Sequence, residues 1–443
     1  MLSVESAAVV RATLPVVGAA LDTITARFYE TMFADRPELL DGLFNRGNQR
    51  SGEQRRALAG SIAAFAGMLL ERPDERPDEL LNRIAHKHAA VGITDDQYVI
   101  VHKYLFAAIA EVLGEAVTPE VAAAWDEVYW LMAGALIAAE ARLYAEAGAR
   151  QGEIWRQWRV VERREETADV VSFTLRPVDG GPVPPARPGQ YVSVRVEMPD
   201  GVRQLRQYTL SGFGEDGLRR ITVKRVRGGE QPEGEVSTLL HATVSEGDEL
   251  TLSAPFGDVT LDDGTPHTTA HVTGGTAQEA AAGSAEGLAA GSTRGDAGEG
   301  ADEDAPLVLV SAGIGCTPIT AMLQHLADAG SARRVLLLHA DISEPAHALR
   351  ADMAALADAL PGGSRVFWYE EAPEGVTGGT EGAVRTGLMD LAGLEIPSGA
   401  VAYLCGPLPF MRHARGQLIQ AGVAPRDIHY EVFGPDLWLA HAS

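Results

Sequence analysis

Apolar positions change their period along the chain, and each change marks a different kind of structure. Over residues 4–148 they recur every three or four places. Val121–Ala147, for example, sets Trp125, Val128, Met132, Leu136 and Leu143 on one stripe of a long helix. With few Gly or Pro breaks and no clear strand pattern, residues 1–150 are expected to form an all-α domain. From Trp158 to Leu261 the period falls to two, as in YVSVRV (Tyr191–Val196) and LRRITV (Leu218–Val223). Gly/Pro turns separate these runs, which predicts an antiparallel β-barrel over 151–262. Residues 263–304 are Ala, Gly, Glu, Thr and Ser with almost no large apolar side chain. Such a segment cannot offset the entropy of ordering itself, so a flexible insertion is expected there. From residue 305 to 443 the strand-like runs LVLVS, VLLLH, RVFWY and VAYLC alternate with helical stretches, the pattern of an α/β domain with a parallel sheet. No internal repeat is visible.

Composition narrows what this multidomain chain does. At 443 residues it exceeds what one core supports, and 46% hydrophobic residues suffice to fill several. A formal charge of -24, with no compact Lys/Arg block, excludes nucleic acid as a partner, because the phosphates would be repelled. The opening MLSVESAAVVRATLPVV lacks the basic start and continuous apolar run of a secretory signal, and no uninterrupted apolar stretch is long enough to span a bilayer. A soluble cytoplasmic protein without an integral membrane segment is therefore expected. Cys316 and Cys405 stand far apart without metal-ligand spacing and read as reduced thiols.

The α region holds polar residues that an ordinary helical core does not need. Tyr29 lies beside Phe28, Phe44 opens the turn-rich FNRGNQ, and Gln54 and Leu58, four apart, share one helix face. His86 and His88, two apart, point in widely different directions, so only one of them can face a buried plane. Thr94-Asp95-Asp96-Gln97 reads as a capping box that starts a new helix with Tyr98 in its first turn. Glu140 continues the Met132, Leu136 stripe, which puts a carboxylate on an apolar face where it needs a partner. Each residue alone reads as a satisfied core or rim side chain; a tyrosine, a histidine and a carboxylate together do not.

The second half carries nucleotide chemistry. Arg206-Gln207-Tyr208-Thr209 matches the R-x-Y-[ST] pattern by which ferredoxin-reductase-like proteins bind flavin. Arginine clamps a pyrophosphate, the tyrosine ring packs on the isoalloxazine, and the hydroxyl bonds a ring nitrogen. Upstream, RPGQY resembles the turn and strand whose tyrosine, here Tyr191, contacts the flavin; Lys224 and Ser237 match further contact positions. Ser311-Ala312-Gly313-Ile314-Gly315-Cys316-Thr317-Pro318 joins a strand to a helix. Its glycines let the backbone approach a pyrophosphate, and Thr317 and Pro318 suit the cap and first turn of the helix facing that anion. Pro318 replaces the third glycine of a Rossmann fingerprint, which points to a reductase rather than an ordinary dehydrogenase. Cys405-Gly406-Pro407 looks like the nicotinamide-side loop of the same reductases, and YEVFGP (Tyr430–Pro435) resembles their terminal strand.

LFNRGNQRSGEQRRAL, IAHKHAAVGITDDQYVIV and AWDEVYWLMAGALIAAEARLY resemble the globin domain of flavohaemoglobins, and with the reductase motifs the resemblance covers nearly the whole chain except the 263–304 insertion. It implies a globin haem domain, a barrel that binds FAD and an α/β domain that binds NADH or NADPH. By the same resemblance His88 is the proximal ligand of haem b iron, with His86 its non-ligand neighbour. Tyr98 and Glu140 stand behind His88; Tyr29, Gln54, Leu58 and Phe44 line the oxygen side. Phe433 covers the flavin where the nicotinamide must stack, and Glu431 lies between flavin and haem. The implied activity is that of a nitric oxide dioxygenase, in which electrons from NADH or NADPH pass through FAD to haem, and nitric oxide and oxygen become nitrate. No obligate protein partner is expected. Two rivals remain: a flavin-dependent reductase of other acceptors or peroxides, and a non-enzymatic globin that stores or senses oxygen. The intact RQYT, GIGCTP and CGP motifs speak against the second, since storage needs no electron supply.

Overall fold

The computed structural model describes residues 1–41, 52–214, 217–228, 233–261, 304–371 and 384–433. The expected insertion, apart from Asp304, lies outside the described residues, as does Phe44.

Among the described residues five α-helices build the first unit: α1 (Val4–Asp35), α2 (Glu53–Glu71), α3 (Asp78–Val91), α4 (Asp95–Leu113) and α5 (Pro119–Glu146). Ser3 caps α1, its hydroxyl accepting the Ser6 N–H, and Thr118 caps α5 ahead of Pro119, whose missing N–H costs nothing at a helix start. Helix α4 begins with the capping box read from the sequence, Gln97 Oε1 accepting the Thr94 N–H at 3.2 Å. One core joins the helices: Ile24, Phe28 and Met32 of α1 pack with Phe65 of α2, Leu105 of α4 and Trp125, Val128 and Leu136 of α5. The expectation that no stretch is long and apolar enough to cross a membrane needs correcting. Val4–Asp35 and Pro119–Glu146 both pass that test by length and composition, because each supplies an apolar face to this core.

Six antiparallel strands then close a barrel in the order β1-β2-β5-β4-β3-β6: β1 (Trp155–Thr167), β2 (Val170–Pro177), β3 (Tyr191–Glu197), β4 (Arg203–Phe213), β5 (Arg219–Lys224) and β6 (Glu249–Ser253). Period-two alternation turns Trp158, Val160, Phe173, Leu175, Val192, Val194, Ile221, Val223 and Leu252 inward, and together they fill the barrel. Helix α6 (Glu235–Thr243) adds Val236 and Leu240 to the same core.

The last unit is a six-stranded parallel sheet ordered β10-β9-β8-β7-β11-β12: β7 (Leu307–Ala312), β8 (Val335–Asp341), β9 (Gly363–Tyr369), β10 (Val384–Thr386), β11 (Val401–Cys405) and β12 (Ile428–Glu431). Its helices are α7 (Cys316–Asp328), α8 (Arg350–Ala359) and α9 (Leu408–Gln420). The chain runs outward from β7 to β10 and returns on the other side of β7. The topological switch therefore falls between β7 and β11, and a ligand crevice belongs at their carboxyl ends.

Barrel and sheet are joined by polar contacts. Gln324 of α7 accepts the Phe213 N–H at 3.0 Å and donates to the Phe213 carbonyl at 2.6 Å. Asp352 of α8 takes hydrogen bonds from Arg164 (2.9 Å) and Arg220 (2.6 Å) of the barrel. Burial pushes the Asp352 carboxyl up, but the hydrogen bonds from the two guanidinium groups outweigh it and hold the group below its usual value. A depressed folded-state pKa gives stability that is present above the ordinary carboxylate range and lost as pH falls through the folded value. Asp352→Asn should cost about 1–2 kcal/mol at neutral pH, the modest figure suiting a partly exposed pair. Denaturant unfolding should show the gap between wild type and variant closing as pH drops below about 4; a gap that persists in acid would contradict the assignment.

Candidate functional site

Helix α3 carries His88 and turns different faces toward all three units. The 88 side chain points into the helical unit, where His88 Nδ1 lies 2.9 Å from Glu140 Oε1 and 2.9 Å from the Tyr98 hydroxyl oxygen. Tyr98 itself donates to the same Glu140 oxygen at 2.5 Å. Because the tyrosine proton is committed to Glu140, the bond between His88 and Tyr98 needs its proton from Nδ1. The ring is then an Nδ1–H tautomer with a lone pair on Nε2, the form that ligates a metal. Glu140 is fully buried, and among the described residues its Oε2 has no hydrogen-bond partner. Burial, then the neighbouring Glu140, pushes the Tyr98 hydroxyl far up, so it stays a donor. The imidazole is 36% exposed, which leaves its free side open to a ligand.

Tyr29 is buried on α1 with its ring 4.7 Å from that of Phe28 and 5.5 Å from that of Phe33. Leu58 packs partly buried against the same core, and Gln54 lies one turn earlier on α2, though its side chain is outside the description.

His86 faces the barrel instead. Its Nδ1 accepts the backbone N–H of Gly257 at 2.9 Å, and burial lowers its pKa to about 4, so it is neutral at physiological pH. Lys87 pairs with Glu431 of β12 at 3.1 Å, donates to the Val432 carbonyl at 3.2 Å, and stands 4.9 Å over the Tyr191 ring. Arg83 reaches Asp258 at 3.4 Å and the Tyr430 hydroxyl at 3.0 Å. Glu431 is buried; desolvation raises its carboxyl and the Lys87 ammonium opposes that rise. Sequence reasoning passed over Arg83, Lys87 and Asp258. A signal was available in the spacing 83, 86, 87, which puts three polar side chains on one face of a mostly buried helix.

The flavin-motif residues gather on two adjacent strands. Register pairs Tyr191 with Thr209, Val192 with Tyr208, Ser193 with Gln207 and Val194 with Arg206. Tyr191 is buried, and among the described residues its hydroxyl has no hydrogen-bond partner. Arg206 donates to the Leu205 carbonyl at 2.7 Å. Lys224 ends β5, 4.0 Å from Asp169, and Ser237 sits in the first turn of α6, accepting the Val226 N–H at 3.2 Å.

The two nucleotide loops flank the switch between β7 and β11. Gly313 has φ +53 with open space where a side chain would be, and Gly315 packs so tightly that a Cβ there would stand 2.3 Å from the Cys405 carbonyl oxygen. One expectation fails here. The cap of α7 is Gly315, not Thr317, because the helix starts at Cys316; the Thr317 hydroxyl bonds the Ile314 carbonyl at 3.1 Å inside the first turn, and Pro318 follows it. Cys316 and Cys405 are unbridged and buried, and burial raises both thiols. Gly406 follows at the end of β11, with Pro407 as the cap residue of α9. Phe433, two residues past Glu431, is 47% exposed.

The Globin family matches residues 26–136, and the Oxidoreductase NAD-binding domain family matches residues 309–416. A flavohemoprotein of Bordetella pertussis is 40% identical over 98% of this chain and 99% of its own length, and one of Bacillus subtilis is 33% identical over the full length of both. Among solved structures, a flavohemoglobin from Malassezia yamatoensis with bound FAD and heme superposes with a TM-score of 0.81 at 38% identity, covering 98% of this chain and 100% of its own. The flavohem-like FAD/NAD binding domain of nitric oxide dioxygenase from Vibrio cholerae matches with a TM-score of 0.50 at 33% identity, covering 63% of this chain and 99% of its own.

The close approach of the two loops yields a stability test. Gly315→Ala forces backbone apart and should cost about 1–3 kcal/mol in denaturant unfolding; unchanged stability would mean that the loops do not pack this way.

Proposed function

The chain belongs to the flavohaemoglobin (flavohemoprotein) family, and on that premise we propose that it is a nitric oxide dioxygenase that converts nitric oxide and oxygen to nitrate with electrons from NADH or NADPH. The observation that carries this reading is the cluster of His88 with Tyr98 and Glu140, in which the His88 helix is also bonded directly to the other two units. The proposed division is a globin at 1–150, an FAD barrel at 151–262, the 263–304 insertion and a nicotinamide domain from 305 on.

The residues suit the cofactors. His88 Nε2, which has no hydrogen-bond partner among the described residues, would hold haem iron, and the unpartnered Tyr191 hydroxyl, with Arg206, Gln207, Tyr208, Thr209, Lys224 and Ser237, would hold FAD. The Gly313–Pro318 and Cys405–Pro407 loops would take the nicotinamide nucleotide. When bound, flavin divides a two-electron donor into single electrons and haem iron supplies the centre at which oxygen and nitric oxide react.

The protein's part is electrostatic and positional. Glu140, fully buried, takes a hydrogen bond from His88 Nδ1–H and gives the imidazole anionic character, which makes Nε2 a stronger donor. Tyr98 holds the Glu140 oxygen in place from the other side and fixes the ring plane. Tyr29, buried on α1, would be the hydrogen-bond donor to a diatomic ligand. Lys87 neutralises Glu431 in the low-dielectric junction, so no uncompensated charge separates the two halves of the electron path.

Nitrate formed should match nicotinamide consumed at about two to one under nitric oxide and oxygen, because each turnover takes one electron. Consumption without nitrate would favour a reductase acting on other acceptors. His88→Ala should lose the haem absorption band while retaining flavin; an undiminished band in the variant would refute the ligand assignment.

A further inference from the structure

We propose that His86 is a positioning residue that docks the iron-bearing helix onto the flavin barrel and thereby sets how fast electrons cross between them. This rests on the functional reading above, and it concerns a side chain that neither the iron nor the nucleotide motifs employ. On a helix, residues two apart point about 200° from each other, so with His88 turned into the helical unit His86 must face the barrel. There its Nδ1 accepts the Gly257 N–H at 2.9 Å, with both groups buried.

What His86 grips is stiff. Gly257 has φ +135, and a Cβ added there would meet the Gln190 Cα and the Tyr191 ring at 3.3 Å, so the backbone passes directly against the strand that carries Tyr191. Phe256, the preceding residue, exchanges two backbone hydrogen bonds with Tyr191, at 2.8 and 2.9 Å. An unbroken line of short contacts thus runs from the 86 side chain to the candidate flavin contact, while the candidate iron ligand stands two residues along the same helix.

The packing around this line leaves little slack. Ala89 and Ala90 are fully buried in a small cluster with Tyr144, Ile154, Tyr191 and Phe256, and their methyl side chains let α3 lie close against the barrel. Tyr144 stands edge-on to Phe256 at 6.1 Å and bonds the Ile93 carbonyl at 2.7 Å. Because this hydrogen bond is buried, losing its acceptor would leave the Gly257 N–H unsatisfied unless the helix shifts or the joint opens.

The test uses the full chain with its cofactors and three variants. His86→Leu removes the acceptor, and His86→Ala replaces it if the leucine variant fails to fold. His86→Asn puts an amide oxygen where Nδ1 was, since both atoms are one bond beyond Cγ. In anaerobic stopped-flow with NADH, flavin reduction should be unchanged in His86→Leu and the following haem reduction slowed on the order of tenfold, with recovery in His86→Asn. Hydrogen exchange at the Gly257 amide should accelerate in the leucine variant and be protected again in the asparagine one. Unchanged haem reduction in His86→Leu, equal slowing of both phases, or no recovery with asparagine would overturn the proposal. A wild-type chain without a haem band would remove the functional reading instead, and Gly257 exchange would still decide the docking: equal protection in wild type and His86→Leu overturns it.

Discussion

One helix, Asp78–Val91, has to satisfy three neighbours at once, and the rest of the molecule is arranged around that requirement. Its 88 side chain is held from inside the helical unit by Tyr98 and Glu140, its 86 side chain by the barrel, and its 83 and 87 side chains by the 258 loop and the terminal strand. A rotation of the helix that improved one set of contacts would break another. Ligand geometry and domain docking are therefore coupled through a single rigid element, and the candidate iron ligand cannot move independently of the candidate flavin contact.

The chemistry at this junction depends on its dryness. In the part-buried pair of Lys87 and Glu431 the carboxylate loses hydration that the attraction of the ammonium only partly returns, so the pair's stabilising value is small beside its value in fixing register. The same low dielectric strengthens the bonds of Glu140 to His88 and Tyr98. The crevice at the β7–β11 switch follows another logic: Gly313 leaves open space where a side chain would stand, while Gly315 packs tightly against the neighbouring loop.

Much of this was legible in the chain because local pattern and local function coincide. The shift from helical to alternating periodicity marks the barrel, and the strand-to-helix glycines mark the loop at the switch point. Tyr98 and Glu140 stood out because polar groups on apolar faces need partners, and the structure brings both onto His88 Nδ1. Arg83, Lys87 and Asp258 did not stand out, because their partners lie more than a hundred residues away and nothing local announces an interdomain contact. Thr317 misled for the opposite reason: a good capping residue in a capping position was displaced when the three-residue turn at Gly313–Gly315 let the helix begin two residues earlier than the cap chemistry suggested.

The central claim is that one polypeptide links a nicotinamide site to an iron site through flavin. An absorption spectrum recorded without oxygen, before and after addition of NADH, tests it most directly. The account predicts flavin and haem bands at the start, then bleaching of the flavin accompanied by a shift of the haem band to its ferrous position. Flavin that bleaches while the haem band stays ferric, or protein with no haem band after ample cofactor supply, would contradict it.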